Sequence, residues 1–365
     1  MTHDAIVVRQ TIELRLGLTM RSMFSLLARK ALRMAACLLG VTLLIFLLMR
    51  AIPGNPWANY ATQQRFVFGG LPDTSYQREL IRRYGLDQPE WRQFTRYVFG
   101  DFDADGTFFC GAVCGNLGPS IQFRGPSVQR ILFDAPEDHG FLDSRFGYTL
   151  RIVLFGTLAA IGLGVPLGIL TATRPRSTFS RAISFALAGL ASVPNFILGL
   201  IVILILGLWL KITTVIPNWN RPGDWIAPVL VLAAVPMATI ARVTHATLAN
   251  ILGEDYVRTA RAKGLTRWRV MLRHVLRPSL APILTLLGPL SLEMLTASQI
   301  VEGLYGFPGF GQSFFTAVLT LDYPMILGVA VVYATAILGV NLLVGVLCEL
   351  VDPRLRVARQ TGVTR

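Results

Sequence analysis

At 365 residues, 53% of them hydrophobic and only 15% charged, with a mean hydropathy of +0.54, the chain is too apolar for an ordinary soluble domain. Its apolar residues fall in runs of bilayer length separated by polar segments, the pattern of a polytopic membrane protein. The formal charge of +13 rests on arginine, because Lys30, Lys211 and Lys263 are the only lysines. No Gly-x-x-x-x-Gly-Lys-Ser/Thr loop occurs, which argues against P-loop binding of ATP by the chain itself.

Taking about 20 apolar residues per helix, the sequence predicts an all-α protein with six transmembrane spans. An amino-terminal tail, residues 1–30, leads into the first span, 31–52, which ends at Pro-Gly-Asn-Pro, where a helix cannot continue. This run is longer than a signal-peptide core and lacks a small-x-small cleavage site, so an uncleaved span is expected.

Residues 53–147 form the sizeable segment outside the spans, expected to be a small, mostly helical cap. Tyr76, Leu80, Ile81 and Tyr84 stand at helical spacing before a stop at Gly85, and a new start follows near Asp87-Gln88-Pro89. Asp101, Asp103, Asp105 and Gly106 match the opening of a calcium loop. Ala112 then stands where a bidentate glutamate is needed and Phe109 where a polar ligand would be, so a solvated acidic loop is the better reading. Cys110 and Cys114 are expected to form a local disulfide, geometrically demanding across three residues. No histidine is close enough in sequence to complete a zinc set, and no metal is expected.

The remaining spans are predicted at 148–172, 182–210, 225–243, 281–301 and 325–350, with Pro228 and Pro236 making the fourth the least regular. They leave loops at 173–181, 211–224, 244–280 and 302–324, and a tail at 351–365. Cations collect in the amino-terminal tail, in 173–181, in 244–280 and in the carboxyl-terminal tail, whereas 53–147 carries nine Arg against eleven Asp or Glu. Since cytoplasmic loops collect Lys and Arg, both termini and those two loops are expected to be cytoplasmic. This sorting accounts for most of the charge without nucleic acid, and the basic loop lacks the aromatic interleaving of a stacking platform.

The 244–280 loop is the most informative. Glu254 and Asp255 suit the start of a helix and Gly264 its end. A second helix is expected from Thr266, a natural N-cap, to Pro278.

Here the sequence resembles the permeases of bacterial ABC importers, whose cytoplasmic loop reads Glu-Ala-Ala, three residues, Gly, nine residues, Ile-x-Leu-Pro. Arg258, Thr259 and Ala260 take the first three places, Gly264 the glycine, His274 and Leu276 the Ile and Leu, and Pro278 arrives one residue late. The variant "YVRTARAKGL…RHVLRP" is more specifically similar to the B-type subunit of the dipeptide/oligopeptide (nickel) permease family. The likeness continues in "LLGVTLLIFLLMRAIPGNP", "YGLDQPEWRQFTRYV", "GNLGPSIQFRGPSVQRI", "SVPNFILGL", "GLYGFPGFGQSFFTAVLTLDYP" and "VDPRLR". The inserted "FDADGTFFCGAVC" and a longer amino-terminal tail depart from it.

The resemblance implies the type I importer fold in a bacterial inner membrane. It also implies a non-enzymatic subunit forming half of a pathway for peptides, or for nickel, an oligosaccharide or another small solute. The partners implied are a second homologous permease, two cytoplasmic ATPase subunits that use ATP and Mg, and an exterior substrate-binding protein, with lipid around the spans and no cofactor bound by this chain. Arg258, Thr259, Ala260, Arg261, Lys263, Gly264, Leu276 and Pro278 would couple to the ATPase, Ala260 and Gly264 through close packing against it. The plainer alternative is that the loop's cations only fix orientation, with anionic lipid contributing.

For the pathway, Glu293 lies within the fifth span, where a carboxylate is costly facing lipid. At helical spacing Glu293, Thr296 and Gln299 or Glu302 share a broad face. Pathway lining and an interhelical or interface role both remain open for it. Arg50 and Arg151 suit snorkelling to headgroups. A polytopic membrane enzyme is disfavoured, since His3, His139, His245 and His274 are scattered and no paired catalytic motif occurs.

Overall fold

The computed structural model describes residues 29–51, 78, 81–102, 106–122, 126–136, 140–214, 217–219 and 221–351. Two compact units divide the chain at Ile52 and Pro53. The first contains α1 (Arg29–Ala51), 23 residues of strongly apolar helix, long enough at about 1.5 Å per residue to cross a bilayer core. Leu32, Leu44, Leu47 and Leu48 are exposed on it.

The second unit opens with the polar segment. A helical turn at 81–84 closes on Gly85, whose φ of +60° is left-handed, with Leu86 N–H donating to Ile81 O. Pro89 then precedes α2 (Glu90–Phe99). Tyr76 and Leu80 of the expected first helix lie outside the described residues. The buried Arg96 fastens the two pieces together: Nε and Nη2 donate to the carbonyls of Arg83 and Arg82, and Nη1 pairs with Asp101 at 3.0 Å. Its planar fork thus satisfies carbonyls that the helix end leaves open.

After α2 comes an antiparallel hairpin, β1 (Gly100–Phe102) against β2 (Phe108–Cys110), which the helical expectation for this segment did not include. All but Gly100 and Asp101 of it falls in the inserted stretch. Asp103 and Asp105 lie outside the described residues, and Asp101 pairs with Arg96. Phe109 sits under Arg83, 3.8 Å from guanidinium to ring centre. Cys110 is joined to Cys114 with Cα atoms 5.8 Å apart.

The short α3 (Val128–Phe133) leads to the long helices: α4 (Arg145–Thr173), α5 (Thr178–Ser192) with α6 (Asn195–Val202), α7 (Ile226–Leu252), α10 (Arg277–Tyr305) and α12 (Tyr323–Val351). Among the described residues five helices, α1 included, are each long and apolar enough to cross a membrane, and the α5–α6 pair makes up to six. That pair corresponds to the single span expected at 182–210 and is bent by 111°. The cause is Pro194, which pushes Val193 out of helical geometry to ψ 126°. Beyond Val202 the backbone continues as π-helix over Ile203–Trp209. By contrast α7 runs unbroken through Pro228 and Pro236.

Small residues explain why α4 and α7 pair. Gly156, Ala160, Gly164 and Gly168 recur every fourth residue on one face of α4, all buried. A Cβ at Gly164 would stand 2.8 Å from Met237 O, and one at Gly168 2.6 Å from Ala241 O. The backbones approach closely because nothing larger intervenes. One apolar core gathers Ile152 on α4, Val231 and Leu232 on α7, and Met294, Val301 and Phe307 on and after α10.

The polar segment is anchored by Asp322, which precedes α12 and is buried. It accepts from the Ser120 hydroxyl, from the amides of Ile121 and Gln122 at 3.2 and 3.1 Å, and from Met325 N–H at 3.2 Å. One carboxylate therefore caps a helix and holds a strand-like stretch about two hundred residues away in sequence. Asp322→Ala strips these donors, at about 1–3 kcal/mol for a buried group left unsatisfied. The variant is expected to unfold several degrees lower in detergent, with faster hydrogen exchange at Ile121 and Gln122. Unchanged exchange there would show that the clamp does not hold the segment.

Candidate functional site

The loop between α7 and α10 forms α8 (Asp255–Ala262), a left-handed corner at Gly264, α9 (Arg267–Val270) and a π-helical stretch, Met271–Leu276, that runs directly into α10. Two sides of α8 differ. Val257 and Ala260 face inward and join Ala172, Leu248, Val270 and Val275 in a core of their own. Arg258, Thr259, Arg261 and Lys263 face outward and are exposed. Arg258 makes only a loose pair with Asp255 at 3.7 Å, three-quarters exposed, and so contributes little stability.

This division changes the reading of two residues. The small side chain of Ala260 is used by the chain itself, since it is only 6% exposed and packs beneath α8. Gly264 has nothing within 4 Å of where a Cβ would lie; its requirement is conformational, a φ of +76° that closes the corner. Leu276 is half-buried at the end of the π-helical stretch, and Pro278 is exposed at the second residue of α10. Thr266 stands just before α9, and its carbonyl accepts from Val270 N–H.

On α10, Glu293 and Thr296 share an exposed face with Leu292 and Ile300, and Gln299 is half-buried. Glu302 does not belong with them. Nine residues beyond Glu293 at about 3.6 residues per turn is two and a half turns, and Glu302 points the opposite way into a fully buried site.

That site is built around the Glu302 carboxylate. Thr149 on α4 donates its hydroxyl to Oε1 at 2.7 Å, and Gln312 N–H donates to Oε2 at 3.1 Å. Thr149 Oγ1 also accepts from Phe310 N–H, so one threonine ties α4, α10 and α11 (Phe310–Leu319) together. The Gly-Phe-Pro-Gly-Phe-Gly run supplies the room. A Cβ at Gly311 would lie 2.7 Å from Glu302 Oε2 and 2.8 Å from Gln299 Cα, and one at Gly309 would also collide with the carboxylate. Phe307 then turns into a cluster with Trp219, Trp225 and Tyr148 at ring distances of 4.3, 4.8 and 5.5 Å. The sequence signal for this arrangement is an acid followed closely by four glycines, Gly303, Gly306, Gly309 and Gly311. No group of three or more metal-ligating side chains occurs among the described residues.

Residues 164–357 match the family described as "Binding-protein-dependent transport system inner membrane component". The chain belongs to this family and is a multi-pass permease of the ABC importer class, with the type I permease fold. Among curated relatives, it is 31% identical over 343 residues to the oligopeptide transport system permease protein AppB of Bacillus subtilis (strain 168), covering 91% of this chain and 99% of that protein. It is 31% identical over 349 residues to the dipeptide transport system permease protein DppB of Escherichia coli (strain K12), covering 87% and 94%. A solved inward-facing form of the MetNI methionine ABC transporter aligns with 56% of this chain and 93% of that one, at 18% identity and a TM-score of 0.45.

Gly311→Ala forces a methyl group against backbone and carboxylate together, which neither can yield cheaply. A loss of about 1–3 kcal/mol is expected, read as a lower unfolding temperature and a smaller monodisperse fraction in detergent. Gly162→Ala, at a helical position with open space, is the control; equal behaviour of the two variants would refute the close-packing account.

Proposed function

We propose that this chain forms half of the translocation pathway of an ATP-driven importer of short peptides. The observation that carries the reading is its similarity, over nearly its whole length, to permeases named for oligopeptide and dipeptide transport. The chain binds no cofactor in this reading; ATP and Mg belong to two partner ATPase subunits, and an exterior binding protein delivers the peptide. The second half of the pathway is a homologous permease, for which the exposed Glu293 and Thr296 face of α10 is suited: a carboxylate there requires a polar cavity or partner rather than lipid.

The outward side of α8 is the seat for the ATPase. Arg258, Thr259, Arg261 and Lys263 offer it three cations and a hydroxyl, while Val257 and Ala260 anchor the same helix inward. In this reading the loop and both termini are cytoplasmic and residues 53–147 lie outside, which the sorting of basic residues supports. Closure of the ATPase pair would then rock the permeases between inward-open and outward-open states.

The test is reconstitution of the chain with its partner subunits in proteoliposomes. ATP-dependent uptake of a labelled dipeptide is expected; uptake of nickel or an oligosaccharide with none of peptide would refute the ligand assignment. Reversing charge with Arg261→Glu and Lys263→Glu is expected to weaken ATPase association about tenfold, or about 1.4 kcal/mol. Gly264→Val, a β-branched residue forced toward positive φ, is expected to lower peptide transported per ATP hydrolysed. An unaltered ratio would exclude a coupling role for this corner.

A further inference from the structure

Between α11, the first turn of α4 and the start of α12 lies a cavity of about 170 Å³. Gln122, Gln312, Ser313, Thr316 and Thr320 give it polar walls, and the guanidinium of Arg145 borders it. Arg145 Nη1 donates to Ser313 Oγ at 2.9 Å, and no acidic side chain among the described residues pairs with it. Asp322 also borders the cavity; its two oxygens accept from Ser120, Ile121, Gln122 and Met325, so its acceptor positions are taken up by those donors, and it makes no ion pair with Arg145.

A guanidinium carries five N–H donors in a planar fork. With one of them on a neutral hydroxyl, the group most complementary to the rest is a carboxylate, bound in bidentate fashion. The neighbouring hydroxyls and amides can supply further hydrogen bonds. A space of this size admits a carboxylate and the few atoms next to it, not a whole peptide. It also adjoins the Glu302 site through Gln312, whose N–H binds Glu302 and whose side of α11 borders the cavity.

We propose that this cavity is a carboxylate subsite in which Arg145 takes the C-terminal carboxylate of a short peptide at the exterior end of the permease. The inference rests on the peptide reading above. It assigns Arg145 as a ligand-contacting residue and Ser313 as the group that orients it.

Modification by phenylglyoxal, which reacts with guanidinium groups, tests this on the purified full-length chain without ATPase or binding protein. Adduct formation at Arg145 is followed by peptide mass spectrometry over concentration series of Ala-Ala and of Ala-Ala amide, with the exposed Arg258 as internal reference. Ala-Ala is expected to reduce labelling of Arg145 severalfold and to leave Arg258 unchanged, while the amide gives no protection. Equal protection by acid and amide, no protection by either, or an Arg145 that never reacts would each overturn the proposal. Protection without ATP-driven dipeptide uptake in proteoliposomes would instead retain the subsite and remove the transport reading; uptake without protection would do the reverse.

Discussion

A carboxylate enclosed among membrane helices is tolerated only if donors reach it from every side, and Glu302 imposes that condition on three helices at once. Thr149 fixes α4 to it, and the amide of Gln312 fixes the start of α11. The turn from Tyr305 to Phe310 must therefore fold back over the carboxylate, which is why Gly306 takes a left-handed φ of +63° and why Gly309 and Gly311 have no room for a side chain. The same turn delivers Phe307 to the tryptophans of the 217–225 loop. Much of one end of the bundle is arranged by the hydrogen-bonding needs of one acid.

The same device recurs in weaker form. Asp322 collects donors from the polar segment and from its own helix start, and Asp224 accepts from the amides of Thr214 and Asn218 to close the short loop before α7. Arg96 does the converse with carbonyls. Apolar burial is available all along the spans and cannot select how loops dock. These buried polar groups can, because each is costly when its particular partners are missing.

What the sequence makes legible follows from these two kinds of force. Helices announce themselves through uninterrupted apolar runs, and the loop around Gly264 through its caps. The bend at Pro194 was not legible from hydropathy, since both sides of it are equally apolar and the apolar run reads as one length. The hairpin at Gly100–Cys110 is too short to establish a period of two. Glu302 shares a helix with Glu293, and a broad helical face admits either Gln299 or Glu302 beside Glu293 and Thr296; the half turn between the two acids excludes Glu302. Ala260 misled in another way, because a small residue reports close packing without reporting which partner is packed.

The loop that bears the outward cations and the buried site at Glu302 are joined by one element. α10 begins where the π-helical stretch after α9 ends and reaches Tyr305 without a break in the helix, despite Pro282 and Pro289. At about 1.5 Å per residue it spans roughly 40 Å. α8 is itself bolted to α4 and α7 through the core around Leu248 and Ala172. A force on the outward side of α8 therefore has two routes: a packed one through that core, and a covalent one through the π-helical stretch into α10. Its far end cannot slide freely, because Thr149 and Gln312 hold Glu302 in register with α4 and α11. Such a linkage favours movement of these helices as a body, with deformation confined to places where the backbone already departs from regular helix, namely Met271–Leu276 and the break at Pro194.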